Sequence, residues 1–561
     1  MEADGRRPVK TSTPWSLAPR FERHAGGHAG TVLSMASMAE YELPPTLEQD
    51  YVTDVPYLRT FSNSLSPSML RLAAALNGFA PPPDREFTYL EVGSANGDSL
   101  VALASAYPDA RFVGIDINPD HVAFATSLAA KAGVGNVLFI QGDFADLPHD
   151  ALPDFDFVAM YGLLSWISPE KRKAVVELAG TRLKTGGLLF AAYNAMPGWS
   201  AVEPLRRLML DAAGSTGTSA ERAQRGLSAA KLLDDAGARY FVQNPAARAM
   251  LAAALRTGLP YAIHEYFLPD WHPHYFEDLA DELDSVDLHF VGQLPAYLNF
   301  RDLAIPASLQ PVFAGLTHRI AFERAKDYAL NEFFRRDVFV KGQVSRSDDL
   351  TREYFDTTRF TSIVDPSRVK GKVRLPNCTL EFVGPIFENL IPAVAEQALS
   401  VPDLARLPEL APFGIDAIRR AILQLTIGEQ LWPLHSPVPP LLPAGLGPFL
   451  PCHSHARFAL EQPLSSGDRV VVASPATGTG IVLSPLDVVC LRALAIPSDN
   501  RIPWLRAFAT AHPLKLEQEG RLIDDPIAQV ETVARELEQF RRLRVPKLVQ
   551  LGILAPTSPL D

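Results

Sequence analysis

The chain of 561 residues is long enough for about three or four domains, and its 47% hydrophobic and 21% charged residues are ordinary globular composition. It contains no run of about 18 apolar residues, so no spanning helix is predicted, and Cys378, Cys452 and Cys490 are too few and scattered for a disulfide framework, which fits a reducing cytoplasm. A net charge of −12 repels a phosphate backbone and no basic stripe is interleaved with aromatics, which argues against nucleic acid and leaves a lysine-rich substrate attractive.

Residues 1–48 mix Gly, Ser, Pro, Arg and His without periodicity and read as a disordered tail, with Met35 and Met38 as alternative starts. Arg6, Arg7, Arg20 and Arg23 have the charge of a targeting peptide, but no apolar h-region accompanies them. A leader follows, in which Ser66 caps a helix to Leu76 and Pro67 takes the first turn. Its aromatics, Tyr57 among them, are placed to close over a cofactor. Pro81-Pro82-Pro83 is a stiff spacer before an apolar strand, Tyr89-Leu90-Glu91-Val92.

That strand runs into Gly93-Ser94-Ala95-Asn96-Gly97 and then a helix with Leu100, Val101, Leu103, Ala104 and Tyr107 in register. Gly93, Ala95 and Gly97 let backbone approach a ligand where larger side chains would clash. A dinucleotide fingerprint needs Gly-x-Gly-x-x-Gly and a P-loop ends in Gly-Lys-Ser/Thr; residues 93–98 have neither. The flanking acids Glu91 and Asp98 repel a pyrophosphate and suit a ligand carrying ammonium and sulfonium charge.

Three further strands continue the pattern. Arg111 to Ile115 delivers Asp116 to a strand end, where it can accept from ribose hydroxyls, with Ile117 beside it. Val137 to Ile140 leads to Gln141-Gly142-Asp143-Phe144, where Asp143 can accept from an adenine amino group and Phe144 can cover the ring. Phe155 to Met160 ends at Tyr161. Each acid taken alone serves equally well as a helix cap; their order and spacing favour a nucleoside site. Helices from Pro119 to Ala132 and from Ser168 to Leu183 alternate with these strands, which implies a parallel sheet covered on both faces.

This ordered set resembles the class I S-adenosylmethionine-dependent methyltransferases over roughly residues 50 to 300. Lys184-Thr185-Gly186-Gly187 before the strand Leu188 to Tyr193 is similar to the Pro-Gly-Gly turn of that family, with threonine in place of proline. Tyr161-Gly-Leu-Leu-Ser-Trp166, Tyr193-Asn194-Ala-Met-Pro197-Gly198-Trp199 and His264-Glu265-Tyr266 resemble bacterial methyltransferases with a regulatory domain, which include rickettsial protein lysine methyltransferases that modify outer-membrane proteins. Tyr161 stands where that group implies histidine, so a histidine role is not carried over. The resemblance implies a Rossmann-like α/β fold, S-adenosylmethionine as cofactor, and methyl transfer.

Residues 200–257 are Ala-rich with Leu205, Leu208, Met209, Leu227, Leu232 and Leu233 at helical spacing, and read as an inserted helical hairpin. Such apolar faces commonly meet another subunit, so homodimerisation through them is expected. The core is then predicted to resume with strands Tyr261 to Phe267 and Asp287 to Gly292 around a helix from Tyr275 to Leu283. The methyltransferase domain is placed at 49–300. A helical and mixed regulatory domain follows at 301–440, with an amphipathic helix Leu316 to Phe334 and a strand-like run Lys372 to Val383. The C-terminal domain, 441–561, is predicted as small, α+β and winged-helix-like, with two strands in Asp468 to Val482 and helices Ser484 to Leu494 and Ile527 to Leu551. It has no basic recognition helix, which favours protein contact over DNA.

Methyl transfer from a sulfonium needs alignment and exclusion of water more than acid or base power, although a lysine acceptor must first lose a proton. Tyr161, Trp166, Tyr193, Asn194 and His264 are the candidate catalytic residues. Tyr57, Glu91, Gly93, Ala95, Gly97, Asp116, Ile117, Gly142, Asp143, Phe144 and Tyr161 are the candidate cofactor residues. Trp199 and Tyr266 are further aromatics of the same motifs, equally suited to packing. His272-Pro-His274 and Cys452-His453-Ser-His455 contain zinc-type residues without a known four-ligand spacing, so no metal is expected. The leading reading is a protein-lysine N-methyltransferase. The alternatives are an enzyme acting on a small molecule or a peptide natural product, and a non-catalytic cofactor-binding interaction protein.

Overall fold

The computed structural model describes residues 52–557 apart from 53, 56, 58, 269, 464–468, 512–516, 519–520 and 523–524. The predicted tail lies outside the described residues. Helix α1 (Pro67–Leu76) starts where expected, because the Ser66 side chain accepts from the Ser68 N–H and Pro67 needs no amide partner in the first turn. Then β1 (Thr88–Val92), α2 (Asp98–Ala106), β2 (Arg111–Asp116), α3 (Pro119–Lys131), β3 (Val137–Gln141), β4 (Phe155–Tyr161), α4 (Pro169–Arg182) and β5 (Leu183–Asn194) alternate strand with helix. The central strands bury both faces, as their continuous apolar runs require: Leu90 pairs with Val113 on one side and Val158 on the other, all parallel. Asn118 and Ser168 cap α3 and α4. Gly186 and Gly187 lie in a bulge where the β4–β5 register shifts between Phe155 and Phe157.

After β5 the chain leaves the sheet for α5 (Glu203–Ala213), α6 (Ser219–Asp235), α7 (Arg239–Gln243), α8 (Pro245–Thr257) and α9 (Leu259–Tyr266). The insertion is thus larger than a hairpin and includes residues 261–266, predicted as a strand. That short, largely apolar stretch fits either period. As a helix it buries Ala262, Ile263 and Tyr266 in the insertion core with Trp199 and Met209. Helix α10 (Phe276–Asp284) and strand β6 (Leu288–Gln293) follow, the latter close to the expected strand.

The larger departure is β7 (Phe334–Lys341), which follows α11 (Arg319–Leu330) after a left-handed Asn331. It inserts between β5 and β6, antiparallel to both, so the sheet has seven strands in the order β3-β2-β1-β4-β5-β7-β6. The expected domain boundary at residue 300 therefore falls before the last strand of the sheet. Sequence pattern missed β7 because Arg335, Arg336 and Asp337 interrupt its apolar run. Arg335 is nevertheless fully buried. It donates to Asp337 at 2.8 Å and Glu323 at 3.1 Å, also pairs with Asp327, and packs 4.1 Å over the Phe276 ring. The Tyr193 hydroxyl donates to the same Asp337 carboxylate at 2.5 Å.

The middle region contains α12 (Asp348–Thr357), β8 (Arg359–Thr361), a hairpin of β9 (Lys372–Arg374) and β10 (Thr379–Glu381), α13 (Pro385–Glu396), α14 (Ile415–Ile427) and β11 (Trp432–Leu434). Phe355, Leu390, Ile418 and Leu425 are among its core. The C-terminal region has β12 (Phe449–Pro451), α15 (Ser454–Glu461), the hairpin β13 (Val470–Ser474) and β14 (Thr479–Leu483), then α16 (Pro485–Leu494), α17 (Arg501–Ala511), α18 (Pro526–Leu543) and α19 (Val545–Gln550). Its hairpin docks on the leader. Asn63 exchanges two hydrogen bonds with Gly480, at 3.1 and 2.9 Å, and the Ser66 hydroxyl donates to the Gly478 carbonyl at 2.6 Å. Among the described residues no helix is long and apolar enough to cross a membrane.

Removing the Arg335 guanidinium takes an ion-pair partner from three buried carboxylates, of which Glu323 keeps Lys326 and Asp337 keeps the Tyr193 hydroxyl. Arg335→Met is expected to lower unfolding free energy by about 3–5 kcal/mol, read from urea denaturation.

Candidate active site at the carboxyl ends of the strands

A cavity of about 580 Å³ opens where β1, β2, β4 and β5 end, within the size range of small-molecule sites. The turn after β1 forms one wall. Gly93, Ala95 and Gly97 have φ of 76°, 45° and 70°, so the chain folds back on itself. The Gly93 and Ser94 amides both donate to the Ile115 carbonyl, at 2.8 and 3.1 Å. A Cβ on Gly97 would lie 2.7 Å from the Ala125 Cβ and from the Phe139 ring, so the left-handed conformation and the close approach both demand glycine.

Asp116 organises this wall. Its carboxylate accepts from the Ala95 amide at 2.7 Å and the Asn118 amide at 2.9 Å, and lies 3.3 Å from His121 Nδ1. The Tyr57 amide donates to His121 Nε2 at 3.3 Å, which leaves the imidazole proton on Nδ1, facing Asp116. The Asn96 side chain donates to the Tyr57 carbonyl at 2.9 Å, so the leader is held over the turn. A carboxylate has about four lone-pair sites, so Asp116 keeps capacity for hydroxyl donors.

Glu91 lies beside Asp116 at the end of β1. Burial, with the Asp116 charge as a smaller contribution, pushes its carboxyl up to about 8, and its Oε2 is buried without a partner. Such a group fits a cationic ligand, which would restore its ionised form. Asp98 is also raised by burial, opposed by Arg59, which donates to it at 2.6 Å. Asp143 accepts from the Ala145 amide at 3.0 Å and has Lys171 Nζ at 3.1 Å, a partner the sequence reading did not foresee. Ile117, Gly142 and Phe144 line the same end of the cavity. These residues fit an S-adenosyl nucleoside: carboxylates for its hydroxyls and cations, glycine backbone at the turn, and an aromatic face for its base.

The opposite end is aromatic. Tyr57, Tyr161, Trp166, Asn194 and His264 all line the cavity, so the structure gathers these candidates from four separate segments. The Asn194 amide donates to Ser165 Oγ at 2.9 Å, while its side-chain Nδ2 is buried without a partner. His264 Nε2 donates to the Val55 carbonyl at 2.8 Å, and burial lowers its basicity. The Tyr57 ring meets the His264 ring edge-on at 5.1 Å, and burial pushes the Tyr57 hydroxyl up to about 12.

Tyr193 requires correction. Its side chain is turned away from the cavity and wholly buried on Asp337, because a strand sends successive side chains to opposite faces and the face of Tyr193 is covered by the Arg335 cluster. Trp199 and Tyr266 are likewise core, with the Trp199 Nε1 donating to the Phe333 carbonyl at 3.1 Å. Tyr261, Glu265, Phe334 and Arg336 are among the lining residues that escaped the sequence reading. Tyr261 and Glu265 were hidden by the strand assignment of α9; a helical reading of 261–266 places them one turn apart on one face. Phe334 and Arg336 were hidden with β7. Glu265 is pushed up to about 7 by burial alone. His274 Nε2 lies 3.1 Å from the Leu164 carbonyl and His453 Nε2 3.0 Å from the Ala473 carbonyl. Among the described residues no group of three or more His, Cys, Asp or Glu gathers as a metal site.

A methyltransferase domain model matches residues 90–187, and a predicted methyltransferase regulatory domain matches residues 260–341. An uncharacterized protein of Synechocystis is 29% identical over 514 residues, 91% of this chain and 100% of that protein. An uncharacterized protein of Rickettsia prowazekii is 28% identical over 183 residues, 32% of this chain and 72% of that protein. The solved structure of PKMT2 from Rickettsia typhi in complex with AdoHcy superposes with a TM-score of 0.68 at 15% identity, covering 89% of this chain and 100% of that one, which shows a shared fold. The chain is an S-adenosylmethionine-dependent methyltransferase of Rossmann-like fold, and S-adenosylmethionine is its cofactor.

Glu91 has a raised pKa, so the folded state favours its protonated form. The associated stability is present below about 4.5 and is lost as pH rises through about 8. Melting curves of the cofactor-free protein from pH 5 to pH 9 are expected to fall relative to those of Glu91→Gln, and saturating S-adenosylmethionine to remove the difference. Parallel curves for the two proteins would refute the assignment.

Proposed function

We propose that this methyltransferase modifies lysine side chains of a protein substrate. One observation carries the reading: the acceptor end of the cavity combines Tyr57, Tyr161, Trp166 and Tyr261 with the carboxylates of Glu265 and Asp270. Aromatic faces and carboxylates together suit an alkylammonium chain, which each aromatic contact would stabilise by about 0.5–2 kcal/mol. The net charge of −12 would draw a basic substrate toward it. The motif resemblance to rickettsial protein lysine methyltransferases points the same way.

Bound S-adenosylmethionine supplies an electrophilic methyl carbon on a positively charged sulfur. The roles of this chain are to hold and align. In this reading Asp116 takes the ribose hydroxyls, Glu91 the amino-acid cation, and Gly93 to Gly97 the close backbone approach, while Asp143 and Phe144 hold the base. Tyr161, Trp166 and Asn194 line the part of the cavity where an acceptor amine would be held for attack on the methyl group. Tyr57 and the leader close over the site and keep water out. We place the expected homodimer contact on the exposed Leu232, Leu233, Val242 and Leu255 of the insertion; a light-scattering mass of one chain would remove it.

Incubating the protein with methyl-labelled S-adenosylmethionine and fractions of a bacterial lysate is expected to label protein bands, with the label located on lysine by mass spectrometry. Asp116→Ala is expected to abolish it. Label confined to small molecules would overturn the reading.

A further inference from the structure

The other cavity carboxylates are already engaged or belong to the cofactor end. Asp116 holds backbone amides, Asp143 has Lys171, Asp98 has Arg59, Glu91 sits beside Asp116, and Asp270 lies 3.8 Å from His272 Nε2. Glu265 differs: it lines the aromatic end, and no hydrogen bond or ion pair to its carboxylate is present among the described residues. Its helix is firmly placed. Ala262, Ile263 and Tyr266 are buried in the insertion core, and the His264 hydrogen bond to Val55 ties α9 to the leader. Tyr261, one turn earlier, lines the same cavity.

We propose that Glu265 is the catalytic residue that receives the lysine ammonium and takes its proton before methyl transfer. The inference rests on the lysine reading above. The carboxylate accepts a proton from Nζ: an N–H bond breaks, an O–H bond forms, and the electron pair stays on nitrogen. That pair forms the N–C bond to the methyl group as the C–S pair withdraws onto sulfur, giving a methylammonium and S-adenosylhomocysteine. The proton on Glu265 then exchanges with solvent, and the carboxylate is ready for another turnover.

Magnitudes support this direction. A free ammonium at about 10.4 gives its proton poorly to an ordinary carboxylate at about 4.3. Burial brings Glu265 up to about 7, which narrows the gap from one side. Desolvation and the sulfonium charge lower the amine from the other. Glu265 interacts electrostatically with Tyr57 on the leader and with Tyr261 and Tyr266 on its own helix, while Tyr161 at the end of β4, His264 on its own helix, Asp270 after it and Arg336 on β7 line the same cavity. Tyr57, Tyr261 and Tyr266, raised by burial, stay neutral over the working range and do not compete for this proton.

The test uses n-butylamine at high concentration as a minimal lysine side chain, with methyl-labelled S-adenosylmethionine, the full chain and its Glu265→Gln and Glu265→Asp variants. For the unmodified protein the rate is expected to rise through about pH 7 and then level. Glu265→Gln is expected to be slower by on the order of 100-fold near pH 7.5 and to recover only toward the amine's own pKa of about 10, because it must wait for free amine. Glu265→Asp is expected to keep the limb near neutrality with part of the rate. S-adenosylhomocysteine affinity, measured by calorimetry, should be unchanged in both. An unaltered rate and pH profile in Glu265→Gln would overturn the assignment, as would a loss of S-adenosylhomocysteine binding. Failure of the unmodified protein to methylate n-butylamine would instead overturn the lysine reading beneath it.

Discussion

The site depends on the grip of one carboxylate on three segments of chain. Asp116 at the end of β2 holds the Ala95 amide of the turn after β1, the Asn118 amide that opens α3, and His121 one turn into that helix. Through His121 the grip extends to the Tyr57 amide, and so to the leader that covers the cavity. A charged acceptor among backbone donors makes stronger bonds than a neutral one, and in a water-poor site they are stronger still. The left-handed turn at Gly93, Ala95 and Gly97 is held from both sides. It therefore stands ready for a ligand without further ordering, which lowers the cost of binding.

The acceptor end has a different foundation. Residues 260–341, matched by the regulatory-domain model, supply Tyr261, His264, Glu265, Asp270, Phe334 and Arg336 to the cavity. They also supply β7, which lies against β5 and carries the Arg335 cluster. Because Tyr193 bonds to Asp337 while Asn194 enters the cavity, that cluster fixes the strand end on which the acceptor face is built. The C-terminal hairpin adds a brace: Gly478 and Gly480 hold Ser66 and Asn63, next to Phe61, Ser62 and Leu65 of the cavity wall. The appended regions thus touch the site through the leader, far along the chain from the glycine turn after β1.

What could be read in advance followed physical locality. Strands β1 to β4 are short apolar runs with an acid or aromatic at or just past their ends, and the helices after β2 and β4 are capped by Asn118 and Ser168, so neighbouring residues carry most of the signal. Tyr261 to Phe267 did not yield to the same reading, because a seven-residue stretch with apolar residues on either side of His264 and Glu265 satisfies either period until its partners are known. Strand β7 failed for the opposite reason. Arg335 and Asp337 look like surface residues until Glu323, Asp327 and Tyr193 are brought around them, and buried charge is tolerated only with such partners. Glu265 was visible as a motif letter, but its exposure to the cavity depends on α9 being a helix.

By itself the sequence determined the strand-end half of the cavity: an acid-flanked glycine turn, Asp116 and Asp143 in strand order, and a composition suited to a large apolar core. Those features are set by contacts within a strand, a turn and the helix after it, where chain proximity and residue type suffice. At the aromatic end the sequence named Tyr161, Trp166, Asn194 and His264, and tertiary structure decided the rest. Which face Tyr193 presents, where Glu265 and Arg336 arrive, and how β7 closes the sheet all depend on pairing segments more than a hundred residues apart, and no local pattern encodes such pairing.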